Sequence, residues 1–78
     1  MNMQQRRKLR QMLEVIEYFE YELEVMASEE LVKYDNMPEG LKECEQGQAI
    51  YEAADTLEDA ASNLQDWVDE LRENFEID

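Results

Sequence analysis

Carboxylates are the reactive groups that this sequence supplies in quantity. Asp and Glu account for 21 of the 78 residues, against 7 Lys and Arg and no His. In the C-terminal half Asp55, Asp59, Asp66 and Glu73 recur at helical intervals, with Glu52, Asp69 and Glu70 beside them, and Arg72 is the one cation in that stretch. On a helix, carboxylates three or four residues apart stand about 5–6 Å from one another. Clusters of this kind serve metal binding, acid–base catalysis or recognition of a cationic surface. A di-metal site in a helical bundle combines inward Glu residues with Glu-x-x-His pairs, and there is no His to complete one. The segment DNMPEG has Asp35 first and Gly40 sixth, as a calcium loop would, but Met37 and Glu39 fill the third and fifth places, where ligands belong. Acid–base catalysis lacks its commonest base, no Ser or Cys has a base partner, and no glycine-rich phosphate loop is present. We therefore expect no enzyme, no metal and no cofactor. Recognition is left: a rigid helix with carboxylates at phosphate-like spacing would fit a Lys and Arg groove and exclude nucleic acid from it. The plainer reading of the same face is a solvated surface that keeps an acidic protein dispersed.

The net charge of -14 makes nucleic acid and anionic membrane poor direct partners and basic proteins better ones. No segment approaches the roughly 18 consecutive apolar residues of a membrane span. The lone Cys44 and the lack of a secretory pattern at the N-terminus point to the cytoplasm.

These side chains must be positioned by helices. Pro38, Gly40 and Gly47 all fall in one central stretch, and neither long flank contains a breaker. The chain reads as one all-α domain over 1–78: a first helix over about 3–35, a connector over 36–46 and a second helix over about 46–76. At about 1.5 Å per residue each long helix spans roughly 45–50 Å. In the first, Leu9, Met12, Ile16, Phe19, Leu23 and Met26 alternate spacings of three and four, and Ala27, Leu31 and Tyr34 continue the stripe. In the second, Ile50, Ala54, Leu57, Ala61, Leu64, Val68, Leu71 and Phe75 keep the rhythm, with Ala53, Ala60 and Trp67 beside them. The expectation is a coiled-coil-like antiparallel hairpin. Its alanines would lie opposite the C-terminal half of the first helix, and Trp67 and Phe75 would face Leu9 and Met12. The segment PEGLKE should form a short helical turn over the end of the hairpin, with Asp35 or Asn36 as its cap.

Within EYFEYELEVM, acidic and apolar residues alternate as they would in a strand, but for only about six residues inside a helical pattern of about thirty. Read as helix, Tyr18, Tyr21, Val25 and Val32 form a second apolar stripe opposite the core, rimmed by Glu14, Glu22 and Glu29. Tyrosine is favoured at protein interfaces, and a hairpin this small is under-packed alone. A second copy, giving a four-helix bundle, is the nearest partner. The N-terminal cations Arg6, Arg7, Lys8 and Arg10 oppose the helix dipole. They meet either Glu70, Glu73 and Glu76 of the second helix or an outside partner.

The run YDNMPEGLKECEQGQAIYEAADTLEDAASNLQDWVDEL, from Tyr34 to Leu71, resembles small uncharacterised acidic helical proteins of phages and mobile elements of Gram-positive bacteria. The likeness lies in an NMPE-x-L turn, a short polar segment ending in Gly, and a helix with paired Ala and repeating Leu. Gly40 and Cys44 depart from it, standing where small polar residues are expected. The resemblance implies a phage context, in which short acidic proteins bind and block host proteins, antiviral defence components included. Two functions are thus carried forward. One is an inhibitor of a host nucleic-acid-binding or defence protein, using the acidic face with Tyr18, Tyr21 and Val25 as apolar anchors. The other is an assembly protein that only self-associates.

Overall fold

The breaks between helices fall in the central stretch that carries Pro38, Gly40 and Gly47. The computed structural model describes residues 1–77 and comprises α1 (Met3–Asp35), α2 (Glu39–Lys42) and α3 (Glu45–Asn74), with no strand among the described residues. α1 opens on a capping box: the Asn2 side chain accepts the Gln5 backbone N–H at 2.8 Å, and the Gln5 side chain accepts the Asn2 N–H at 3.1 Å. Two otherwise orphaned donors are thereby satisfied where no acidic residue is present to do so. Asp35 and Asn36 do not cap α2. Asp35 is the last residue of α1 and Asn36 its C-cap, while Pro38 precedes α2 without any side-chain hydrogen bond. Proline sets the start of α2 by its fixed φ of -58° and by disfavouring helix at Met37. Gly47, counted from sequence among the central breakers, lies in the first turn of α3 and is buried.

α1 and α3 lie side by side with opposite chain direction. The Arg6 guanidinium donates to the Phe75 carbonyl, Arg72 pairs with Glu17, and the rings of Tyr34 and Tyr51 meet at 5.4 Å between centroids. The result is a rod 58 × 15 × 14 Å. At the end carrying both termini, Leu13, Val68 and Ile77 are buried, with Leu9, Ile16, Leu71 and Phe75 packed on them. Ile77 reaches this cluster because α3 ends in a reversing turn. Glu76 takes a left-handed φ of 52°, its N–H bonds to Glu73, and the Ile77 N–H bonds back to the Arg72 carbonyl at 2.9 Å. Toward the middle, the packed positions are small: Ala27, Ala54 and Ala61 are each 1% exposed.

The packed face of α3 is the one its periodicity defines, from Ile50 to Phe75. That of α1 is not. Buried or half-buried along α1 are Arg6, Leu9, Leu13, Ile16, Glu20, Leu23, Val25, Ala27, Glu30, Leu31 and Tyr34. Met12, Phe19 and Met26, expected in the core, are 51%, 61% and 49% exposed. The alanines account for the rotation. The level set by the Glu17–Arg72 and Tyr34–Tyr51 contacts brings Ala27 near Ala61, and helix axes approach closely only where small residues meet. Turning Ala27 inward turns Leu13 inward with it and moves Met12, Phe19 and Met26 one position round to the flank. Trp67, expected opposite Leu9 and Met12, is likewise 61% exposed. No helix among the described residues is long and apolar enough to cross a membrane.

Candidate protein interface

Three surfaces of the rod are candidates. On α1, Tyr21, Val25 and Val32 combine with Glu24, Ser28 and Glu29 to line an open, shallow and mostly apolar groove. Tyr18 is exposed one turn away and does not line it. On α3, Glu52, Asp55, Asp59, Asp66, Asp69, Glu70 and Glu73 are all exposed, and among the described residues none of them is in an ion pair. No group of three or more Cys, Asp or Glu among the described residues is arranged to hold a metal ion. The cationic end of α1 reaches α3 through the Phe75 carbonyl. No ion pair among the described residues joins Arg6, Arg7, Lys8 or Arg10 to Glu70, Glu73 or Glu76. The last carbonyls of a helix carry its partial negative charge and are themselves acceptors for a guanidinium.

The third surface was missed by sequence reasoning. The seam between α1 and α3 has two flanks. One is polar: Glu17 pairs with Arg72 across it, and Glu24, Ser28, Glu58, Ser62 and Gln65 line a groove farther along. The opposite flank therefore carries Met12, Phe19 and Met26 from α1 and Ala53, Ala60 and Trp67 from α3, with Val15 one position further out. Met12, Val15, Phe19, Met26 and Trp67 are all among the exposed large apolar side chains. The signal was present in the sequence, since apolar residues occupy three of every seven positions on α1 rather than two, but periodicity alone does not say which two face inward. Exposed large apolar side chains on both helices make this flank a candidate interaction surface.

No protein-family model, curated protein or solved structure matches the chain.

One polar residue of the seam has a measurable consequence. Glu20 is half-buried where α1 meets α3. Its carboxyl is held above the usual value of 4.5, first by desolvation and then by the neighbouring carboxylates of Glu24, Glu17 and Asp69. An acid whose pKa is higher in the folded chain binds its proton more tightly there, so its ionised form works against folding above that pKa, and the penalty is relieved as pH falls toward 4.5. Thermal melts followed by circular dichroism should show the protein gaining stability from pH 7 to pH 5, and Glu20→Gln should gain less over the same interval. Equal gains in both chains would show that Glu20 has no part in the pH dependence.

Proposed function

We propose that the chain is a non-enzymatic protein-binding module: a coiled-coil-like helical hairpin, self-pairing into a four-helix bundle, whose acidic face engages a basic nucleic-acid-binding protein of the host. The observation that carries this reading is the array on α3, seven exposed carboxylates along one helix and none of them in an ion pair among the described residues. An array of this kind gains most from a partner rich in Lys and Arg, by the same counterion release that drives such a partner onto nucleic acid. Tyr18, Tyr21 and Val25 stand on the face of α1 turned away from α3, so they anchor only a partner that reaches round the rod. The phage-type resemblance of residues 34 to 71 supports the reading of the partner as a bacterial host protein, with antiviral defence proteins in the same class.

The test is a pull-down from bacterial lysate at low and high salt, with the chain and with a triple variant, Asp59→Lys, Asp66→Lys and Glu73→Lys. The expected result is a DNA- or RNA-binding protein that elutes as salt rises and is competed by nucleic acid. The variant, with unchanged helicity, should hold that protein at least about 100-fold more weakly, since like charges brought together in a docked interface cost several kcal/mol. Undiminished binding by the variant would reject the acidic face as the contact. The apolar flank favours a second reading, an assembly protein that only self-associates. Recovery of the chain by itself alone, in every salt, would support it.

A further inference from the structure

The flank formed by Met12, Val15, Phe19, Met26, Ala60 and Trp67 is apolar on both helices, continuous across the seam and open to solvent. We infer that a second copy of the chain covers it, with a two-fold axis that crosses the rod at Phe19. The inference rests on the reading of the chain as a self-pairing hairpin, and it moves the contact away from the tyrosine stripe.

Three observations carry it. The first is area. One side of the rod, 58 by 15 Å, has room for the roughly 800 Å2 per partner of a standard interface, and the apolar flank from Met12 to Met26 takes up about 21 Å of that length at roughly 1.5 Å per residue. The second is the pattern along α1. A two-stranded pair needs two apolar positions in seven, whereas a helix in a four-helix bundle presents three, and Met12, Phe19 and Met26 supply the third at three successive repeats, between Gln5 and Lys33 at the same position. The corresponding positions on the other flank are Glu17 and Glu24, so only one side is built to be buried.

The third is charge. Two stackings bury this flank in a symmetric dimer. An axis along the rod would lay α1 against α3 of the other copy, with both sets of Arg6, Arg7, Lys8 and Arg10 at one end of the dimer beside Glu70, Glu73 and Glu76, and would leave Phe19 away from its own copy. An axis across the rod sends them to opposite ends. Placed at Phe19, that axis lays α1 against α1 in reverse direction and brings Phe19 onto its own copy. Met12 meets Met26, because each lies seven residues from Phe19. Lys8 of one copy then comes level with Glu29 and Glu30 of the other, so the cationic end meets an acidic segment. Glu17 pairs with Arg72 and Asp69 acts on Glu20, so Trp67 stands between the levels of Phe19 and Met26 on the α3 side. Both Trp67 side chains therefore close over the centre of the interface, where an aromatic anchor contributes most. The acidic face of α3 stays outside and free for a different partner.

The experiment is sedimentation equilibrium on the full chain, on Phe19→Lys and on Tyr21→Glu, with the emission of Trp67, the single tryptophan, read across the same concentrations. Phe19 is exposed in the single chain, so Phe19→Lys should fold with unchanged helicity. It should weaken the dimer by about 100-fold or more, because two unpaired ammonium groups meet on the axis. Trp67 emission should shift to the blue as the unaltered chain dimerises and should not shift in Phe19→Lys. In a Cys44→Ser background, Phe19→Cys should cross-link between copies through a short bismaleimide and Tyr21→Cys should not. A dimer that survives Phe19→Lys but is lost in Tyr21→Glu would overturn this face and return the contact to the tyrosine stripe, with self-pairing intact. A chain that stays monomeric at every concentration would overturn both self-pairing and the second copy as occupant, and would assign the flank to a different protein.

Discussion

Leu13→Ala should lower the stability of the fold by about 2–5 kcal/mol, the range for removing a fully buried leucine and leaving a cavity. Leu13 is 0% exposed and is the largest side chain completely enclosed in the molecule. It belongs to the cluster in which α1, α3 and the reversing Ile77 converge, with Leu9, Ile16, Leu71 and Phe75 packed against it. A chain of this size has roughly 4–12 kcal/mol to lose, by the usual 0.05–0.15 kcal/mol per residue. The Tm should therefore fall by at least about 10 °C, and the weaker end of that range leaves a chain substantially unfolded at 37 °C. The neighbouring Met12→Ala is the informative control. Read from sequence, Met12 is the core residue and Leu13 is not part of the stripe. In the structure Met12 is 51% exposed, and its truncation should cost the single chain less than about 1 kcal/mol. Urea melts at two chain concentrations would separate the variants and remove any contribution of Met12 to self-association. Equal losses at the two positions would refute the rotation of α1 described above.

Gly47→Ala should cost about 2 kcal/mol even though alanine is the better helix former. A Cβ at Gly47 would stand 2.5 Å from the carbonyl oxygens of both Leu41 and Lys42 and 2.7 Å from the Lys42 Cα. These are backbone atoms, so the clash is relieved only if α2 lifts from α3. Lifting strains the Gln48 side-chain bond to the Lys42 carbonyl, 3.1 Å long, and draws the Lys42 ammonium from the Tyr34 ring, 5.4 Å away. Overpacking of this kind costs about 3 kcal/mol, and roughly 1 kcal/mol returns as helix propensity. The corresponding fall in Tm is about 8–16 °C. Gly40→Ala serves as the comparison. Nothing lies within 4 Å of a Cβ at Gly40, and the substitution should be neutral or mildly stabilising. If Gly47→Ala were as harmless as Gly40→Ala, the tight seating of α2 on α3 would be wrong.

The two positions show what sequence reading supplies and where it stops. The all-helical class and two unusually long helices were legible because breakers are confined to one stretch and apolar residues recur every three or four positions elsewhere. The packed face of α3 was legible too, since its alanines and leucines leave one stripe to choose. On α1 the same rule had two answers. Apolar residues there cover much of the helix circumference, and Leu13, Glu20 and Glu30 were outweighed by Met12, Phe19 and Met26. Hydrophobicity ranks side chains by their cost in water, and by that measure a glutamate does not belong in a seam. Gly47 was read as a breaker because its local preference is all that a sequence displays, whereas its role is to leave space for another segment. The acidic array was visible at once, because the spacing that places carboxylates on one face needs no tertiary partner.

By itself, then, the sequence determined the quantities that depend on one helix at a time: where helix begins and ends to within a few residues, how charge is distributed along it, and that no His-based chemistry is available. The tertiary structure decided the rotation of α1 about its own axis, and with it which apolar residues are core and which are surface. The reason is steric. Ala27, Ala54 and Ala61 allow the closest approach of the two axes, close packing is sensitive to a single methylene, and the rotation that joins small residue to small residue prevails over the one that buries the most apolar stripe. The Met12, Phe19, Met26 and Trp67 flank exists only as a consequence of that choice.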